Sequence, residues 1–163
     1  MQKIVFMKKI TLIFLLFIVI SSCSSDPHAG LKELDLMQYG MPISIYAPEG
    51  ADVKTMDFGV QKDVTVQKGK DFYVEIFSSE ATTTNVDDVK NAQLKALKEN
   101  PFFSKVIQDD KDGFIYENQV DSTKFNYGFR HVKIQGDKEF IFQTGLIGFF
   151  TKEAVEKMYA AVK

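Results

Sequence analysis

ATTTNVDDVKNAQLKALKENP, residues 81–101, breaks a chain that on either side of it, from about residue 41 to residue 144, alternates like β-structure. Asn85 is placed to cap a helix whose first turn holds Asp87 and Asp88, acids favoured by the positive N-terminal end of a helix. Val86, Val89, Leu94, Ala96 and Leu97 fall on one broad side. Lys90 and Gln93 lie near that stripe, where their stems can cover the sheet while their polar ends stay in water. Asn100-Pro101 stops the helix, because the residue before a proline is driven out of helical geometry.

Working outward, strands surround this helix. Upstream, Met41–Tyr46 ends at Pro48-Glu49-Gly50, and Val53–Phe58 and Gln61–Gln67 follow. A Gly69-Lys70 turn leads into Asp71–Ser78, with Phe72, Val74 and Ile76 on one face and Tyr73 and Phe77 on the other, a central strand partly covered on both sides. Downstream come Phe102–Gln108, Phe114–Val120, Lys124–Gln135 and Lys138–Thr144, the last two joined at Gly136-Asp137. In the long third strand Phe125, Tyr127 and Phe129 hold odd positions, whereas Val132 and Ile134 hold even ones. That change of parity predicts a bulge or bend near Gly128–His131. Thr151 then caps a closing helix with Val155, Met158, Tyr159 and Val162 at helical spacing.

Four strands, a helix, four strands and a helix describe an α+β domain: an antiparallel sheet of about six to eight strands carrying a central and a C-terminal helix. Over residues 41–163 this order resembles the PsbP and Mog type of α-β-α sandwich. That resemblance implies an assembly or docking subunit. A cystatin-like or lipocalin-like sheet is the competing reading, and the internal helix suits a lipocalin poorly.

The N-terminus has a different grammar. Lys8 and Lys9 precede an apolar run, Ile10–Ile20, broken only by Thr11; Ser21, Ser22 and Cys23 follow. This is the order of a secretory signal, with Met1 or Met7 as its start. Eleven residues of helix reach roughly 16 Å, against about 30 Å of hydrocarbon, too short for a permanent span. Ile20-Ser21-Ser22-Cys23 resembles the lipobox of bacterial lipoproteins, in a serine-rich form similar to that of the Bacteroidota. The resemblance implies cleavage of residues 1–22 and lipidation at Cys23, leaving a polar tether over 23–36 and one globular domain over 37–163. It also implies a chain held in the cell envelope by lipid, with the outer membrane favoured, on its periplasmic or its surface side. An ordinary cleaved signal with a chance cysteine, or a short uncleaved anchor, is the alternative.

Charge and composition narrow the chemistry. Of 20 Lys and Arg, Lys3, Lys8 and Lys9 precede Cys23, leaving 17 against 22 acids, a net charge of −5. With no basic block and a single arginine, Arg130, the chain is not designed to neutralise phosphates, and no nucleic-acid partner is expected. QDDKDG, residues 108–113, matches the third, fifth and sixth positions of an EF-hand. However, Gln108 and Gln119 stand where the first and last carboxylates belong, and Asp112-Gly113 between two strands is a hairpin turn. Of two histidines, His28 lies in the tether and His131 on a strand, the one candidate base, expected at a surface or sheet edge. No nucleophile motif accompanies it, and no cofactor or metal is expected. The expected function is a non-catalytic accessory or protein-interaction module with an envelope partner. A small-ligand binder using an aromatic-lined sheet face, or a hydrolase using carboxylates or His131, are the alternatives.

Overall fold

The computed structural model describes residues 26–163; the leader and Cys23 lie outside them. Strands β1 (Lys32–Asp35) and β2 (Ser44–Ala47) pair as a separate antiparallel ribbon, joined by a 3₁₀ turn at Met37–Tyr39. β3 (Asp52–Asp57), β4 (Gln61–Lys68) and β5 (Phe72–Glu80) form a meander that leads into helix α1 (Val86–Lys98). A second meander, β6 (Phe103–Asp109), β7 (Gly113–Gln119), β8 (Phe125–Gln135) and β9 (Lys138–Thr144), ends in helix α2 (Lys152–Ala161). The two meanders join where β9 pairs with β5, giving one seven-stranded antiparallel sheet in the order β3-β4-β5-β9-β8-β7-β6.

The domain is α+β, with the helices on opposite faces of the sheet. On one face Val64, Val66, Val74, Ile76, Phe129 and Phe142 are buried under α2 and the ribbon. On the other, Phe114 and Tyr116 pack beneath Leu94 and Leu97 of α1. Each such side chain contributes about 1.5–3 kcal/mol when fully buried. Both helices start as expected: the backbone N–H of Asp87 donates to Asn85 Oδ1 (3.1 Å), and that of Ala154 to Thr151 Oγ1 (3.2 Å).

The two covered faces correct the expectation for β8. Its pairing with β7 and β9 runs without a register shift, and no bulge interrupts Gly128–His131. Phe129 faces the α2 side and Val132 the α1 side; the apolar residues change parity because each face has its own helix to meet. The irregularities lie in β6 instead, between Phe103 and Lys105 and between Val106 and Gln108.

Two further expectations shift at the N-terminal end. The strand foreseen at Met41–Tyr46 belongs to the ribbon and not to the main sheet. The ordered domain also begins before Met37: Leu34 pairs with Ile45, and Leu36 is wholly buried. KELDL is polar by count but alternates leucine with charge, which suffices for a strand with one apolar face. His28 is docked as well, its ring stacked on Tyr46 at 3.7 Å and its Nε2 3.0 Å from the Ala160 carbonyl oxygen.

Gly113 marks the closest approach of β7 to its surroundings. A Cβ there would lie 2.5 Å from the Arg130 carbonyl oxygen and 2.8 Å from the Tyr159 hydroxyl. The first is backbone and cannot swing away, so Gly113→Ala is expected to destabilise by about 1–3 kcal/mol through overpacking. A urea midpoint equal to that of the unsubstituted protein would contradict this.

Candidate functional site

Helix α1 covers only the β6–β8 side of its face, and across the rest runs a row of polar residues set by strand register. Thr65 stands opposite Glu75, Glu75 opposite Gln143, and Gln143 opposite Arg130. Glu75 and Gln143 are buried. The Glu75 carboxylate accepts from Gln143 Nε2 (2.9 Å) and from the backbone N–H of Leu146 (3.2 Å). Beside it the Tyr73 phenol is pushed above its usual range, by burial first and then by the Glu75 charge.

Past Gln143 the row opens into a groove of about 200 Å³ between the end of α1, strands β7–β9 and the loop after β9. Gly128 leaves room for it: the Tyr116 ring lies across that glycine, where a Cβ would meet the hydroxyl at 2.5 Å. Arg130 lines the groove, with its guanidinium 5.9 Å from the centre of the Tyr116 ring and one nitrogen donating to the Phe129 carbonyl at 3.3 Å. Asn118 lines it too, and its Oδ1 is buried without a donor. Asn126 is structural, accepting from the Phe150 N–H (2.8 Å) and donating to the Gly148 carbonyl (3.3 Å), which pins the loop.

That loop begins an apolar end of the molecule. Leu146, Ile147 and Phe149 are 77%, 83% and 68% exposed. Pairing places the end of β9, the start of β8, the end of β7 and the start of β6 together, so exposed Phe125, Val120 and Phe102 share this end.

The opposite end holds the acids and the histidine singled out from sequence. QDDKDG is a hairpin turn, closed by the Asp110 N–H donating to the Gly113 carbonyl (2.8 Å). The Asp110 carboxylate is taken up by Lys163 Nζ (2.6 Å), the Tyr159 hydroxyl (3.0 Å) and Gln108 Nε2 (3.0 Å), which ties α2 to the hairpin. The Lys163 ammonium is the main cause that holds Asp110 below the usual carboxylate range. Burial, reinforced by Asp110, pushes the Tyr159 phenol far up. Among the described residues no three His, Cys, Asp or Glu side chains are grouped to hold a metal ion.

His131 is not at a surface but 4% exposed, packed against the rings of Phe142 and Tyr159. Its strand is central, and its face is the one α2 covers. Its Nδ1 lies 3.7 Å from Asp112 Oδ1, beyond hydrogen-bond reach, while the nearby Tyr159 hydroxyl donates to Asp110 instead. No hydroxyl–base–acid relay is assembled.

Burial lowers the His131 pKa below its ordinary 6.5, partly offset by Asp112. The folded protein therefore holds the neutral ring, and stability is full above the unfolded value and falls as pH drops below about 6.5. Asp110, depressed when folded, adds a second loss below its ordinary 3.8. The urea midpoint is expected to decline from pH 7.5 to 5, and His131→Gln to flatten that slope. An equally steep slope in the variant would refute the assignment.

No protein-family model, curated protein or solved structure matches this chain.

Proposed function

We propose that the protein is a lipid-anchored component of the cell envelope, acylated at Cys23, whose domain is a non-catalytic module that docks a partner protein through its apolar end. The loop Leu146–Phe149 carries this reading. Three large apolar side chains exposed together, beside Phe102 and Phe125, form the kind of patch that marks an interaction site. The resemblance in element order to PsbP-like domains, which serve mostly as assembly or docking subunits, is in keeping with the same reading.

Geometry favours a protein over the bilayer as occupant. The chain enters the domain at His28, beside Ala160 at the C-terminal end of α2, whereas the apolar loop immediately precedes the N-terminal end of that helix. Cys23 stands three residues before Asp26, a reach of about 11 Å at most. Helix α2, ten residues long, separates the entry point from the loop by about 15 Å. A lipid on Cys23 would hold the charged end toward the membrane and present the apolar end away from it.

A photo-crosslinking residue at Phe149 is expected to trap one discrete envelope protein, and the same residue at Lys111, at the opposite end, is not. Leu146→Asp with Ile147→Asp should abolish both the adduct and co-purification while leaving membrane retention unchanged. An identical adduct from Lys111, or co-purification surviving the double variant, would overturn the docking assignment. Vesicle binding by a Cys23→Ala protein that depends on Phe149 would show that the loop meets lipid instead.

A further inference from the structure

The geometry points to a second site, independent of the anchor but sharing Leu146 with the docking loop: the groove at Arg130 binds a small carboxylate that carries an N–H donor beside the carboxylate, the chemistry of an N-acylated amino acid or of a peptide C-terminus. Arg130 is the single arginine of the chain. Among the described residues its guanidinium meets no carboxylate; it has a carbonyl at 3.3 Å and the Tyr116 ring at 5.9 Å. A planar fork of five donors, half-buried and left with this little, matches a carboxylate that can take two parallel hydrogen bonds. Glu75 is not its missing partner, since Glu75 lies two strands away and its oxygens already accept from Gln143 and Leu146.

The second polar need is of opposite kind. Asn118 Oδ1 is a buried acceptor with no donor, a state that costs about 1–3 kcal/mol when left unmet. A ligand offering an N–H next to its carboxylate meets both. The groove also sets size and side-chain type. At about 200 Å³ it suits one residue and not a sugar chain. Leu97 and Leu146 supply apolar lining for an aliphatic side chain.

Because Arg130 is unique, its Nε–H gives one side-chain resonance, and titration of the full-length protein in mild detergent can be read at that signal. N-acetyl-leucine is expected to shift it saturably. N-acetyl-leucinamide, which lacks the carboxylate, should not shift it. 4-Methylpentanoate, which lacks the N–H, should bind several-fold more weakly. Arg130→Met should weaken N-acetyl-leucine roughly ten- to a hundredfold, the range of a charge-assisted pair, with Arg130→Lys recovering part of the loss. An acetylated pentapeptide ending in leucine separates the sources: tenfold tighter binding assigns a chain terminus, and equal binding assigns the free derivative. No saturable shift with any of these, or equal binding of the amide and the acid, overturns the site. Equal binding of 4-methylpentanoate overturns the role of Asn118.

Discussion

Phe129→Ala is expected to be among the most damaging single substitutions in the core, costing about 3–5 kcal/mol. Phe129 is fully buried at the centre of β8, opposite Ile115, with its ring 5.7 Å from that of Tyr159 on α2. The helix packs on this side of the sheet through its own Val155 and Met158, both wholly buried, as well as through Tyr159. Truncation leaves a cavity between two rigid layers that cannot collapse without moving the helix. Against a typical total of about 5–15 kcal/mol, that loss leaves a marginal fold. Urea denaturation checks it, with Phe125→Ala as the control. Phe125 lies on the same strand but is 41% exposed, and its truncation should stay within about 0.5 kcal/mol. Equal midpoints for the two variants would mean that α2 does not rest on Phe129.

The second large effect belongs to Cys23. On the proposed reading, Cys23→Ala abolishes incorporation of labelled palmitate and leaves the 22-residue leader uncleaved, so the isolated chain has the mass of the full precursor. The physical basis is additive: each buried CH₂ contributes about 0.8 kcal/mol, and one acyl chain alone holds a protein only marginally, so a cysteine bearing several chains makes a durable anchor and its loss removes all of it. Wild-type levels of label in the variant would refute the assignment. The Arg130 titration is indifferent to that result, and the two ideas stand or fall separately.

The helices were legible in sequence because their signals are local. Asn85 with Asp87 and Asp88, and Thr151 ahead of Val155 and Met158, announce each helix within a few residues of its start, and the side chains cap as expected. The hairpin at Asp112-Gly113 was legible for the same reason. The ribbon was not: Leu34 and Leu36 gain a partner only when residues 44–47 return beside them, and a count of polar residues conceals their alternation. The parity of β8 misled for a related cause. Alternation reports which residues are apolar and not how many faces are covered, so two buried faces read as one face with a fault.

The amino-acid sequence by itself determined the α+β class, both helices with their caps, most of the strands, and the one arginine and one cysteine on which the chemistry turns. These rest on periodicity, on capping and on composition, which act over short stretches of chain. Only the tertiary structure decided that β9 lies between β5 and β8 and that the helices take opposite faces. It also decided that His131 is sealed under α2 and that Arg130 stands in a groove without an acid. Each depends on strands far apart in the chain meeting in one register, and that pairing is selected by burial summed over the whole sheet.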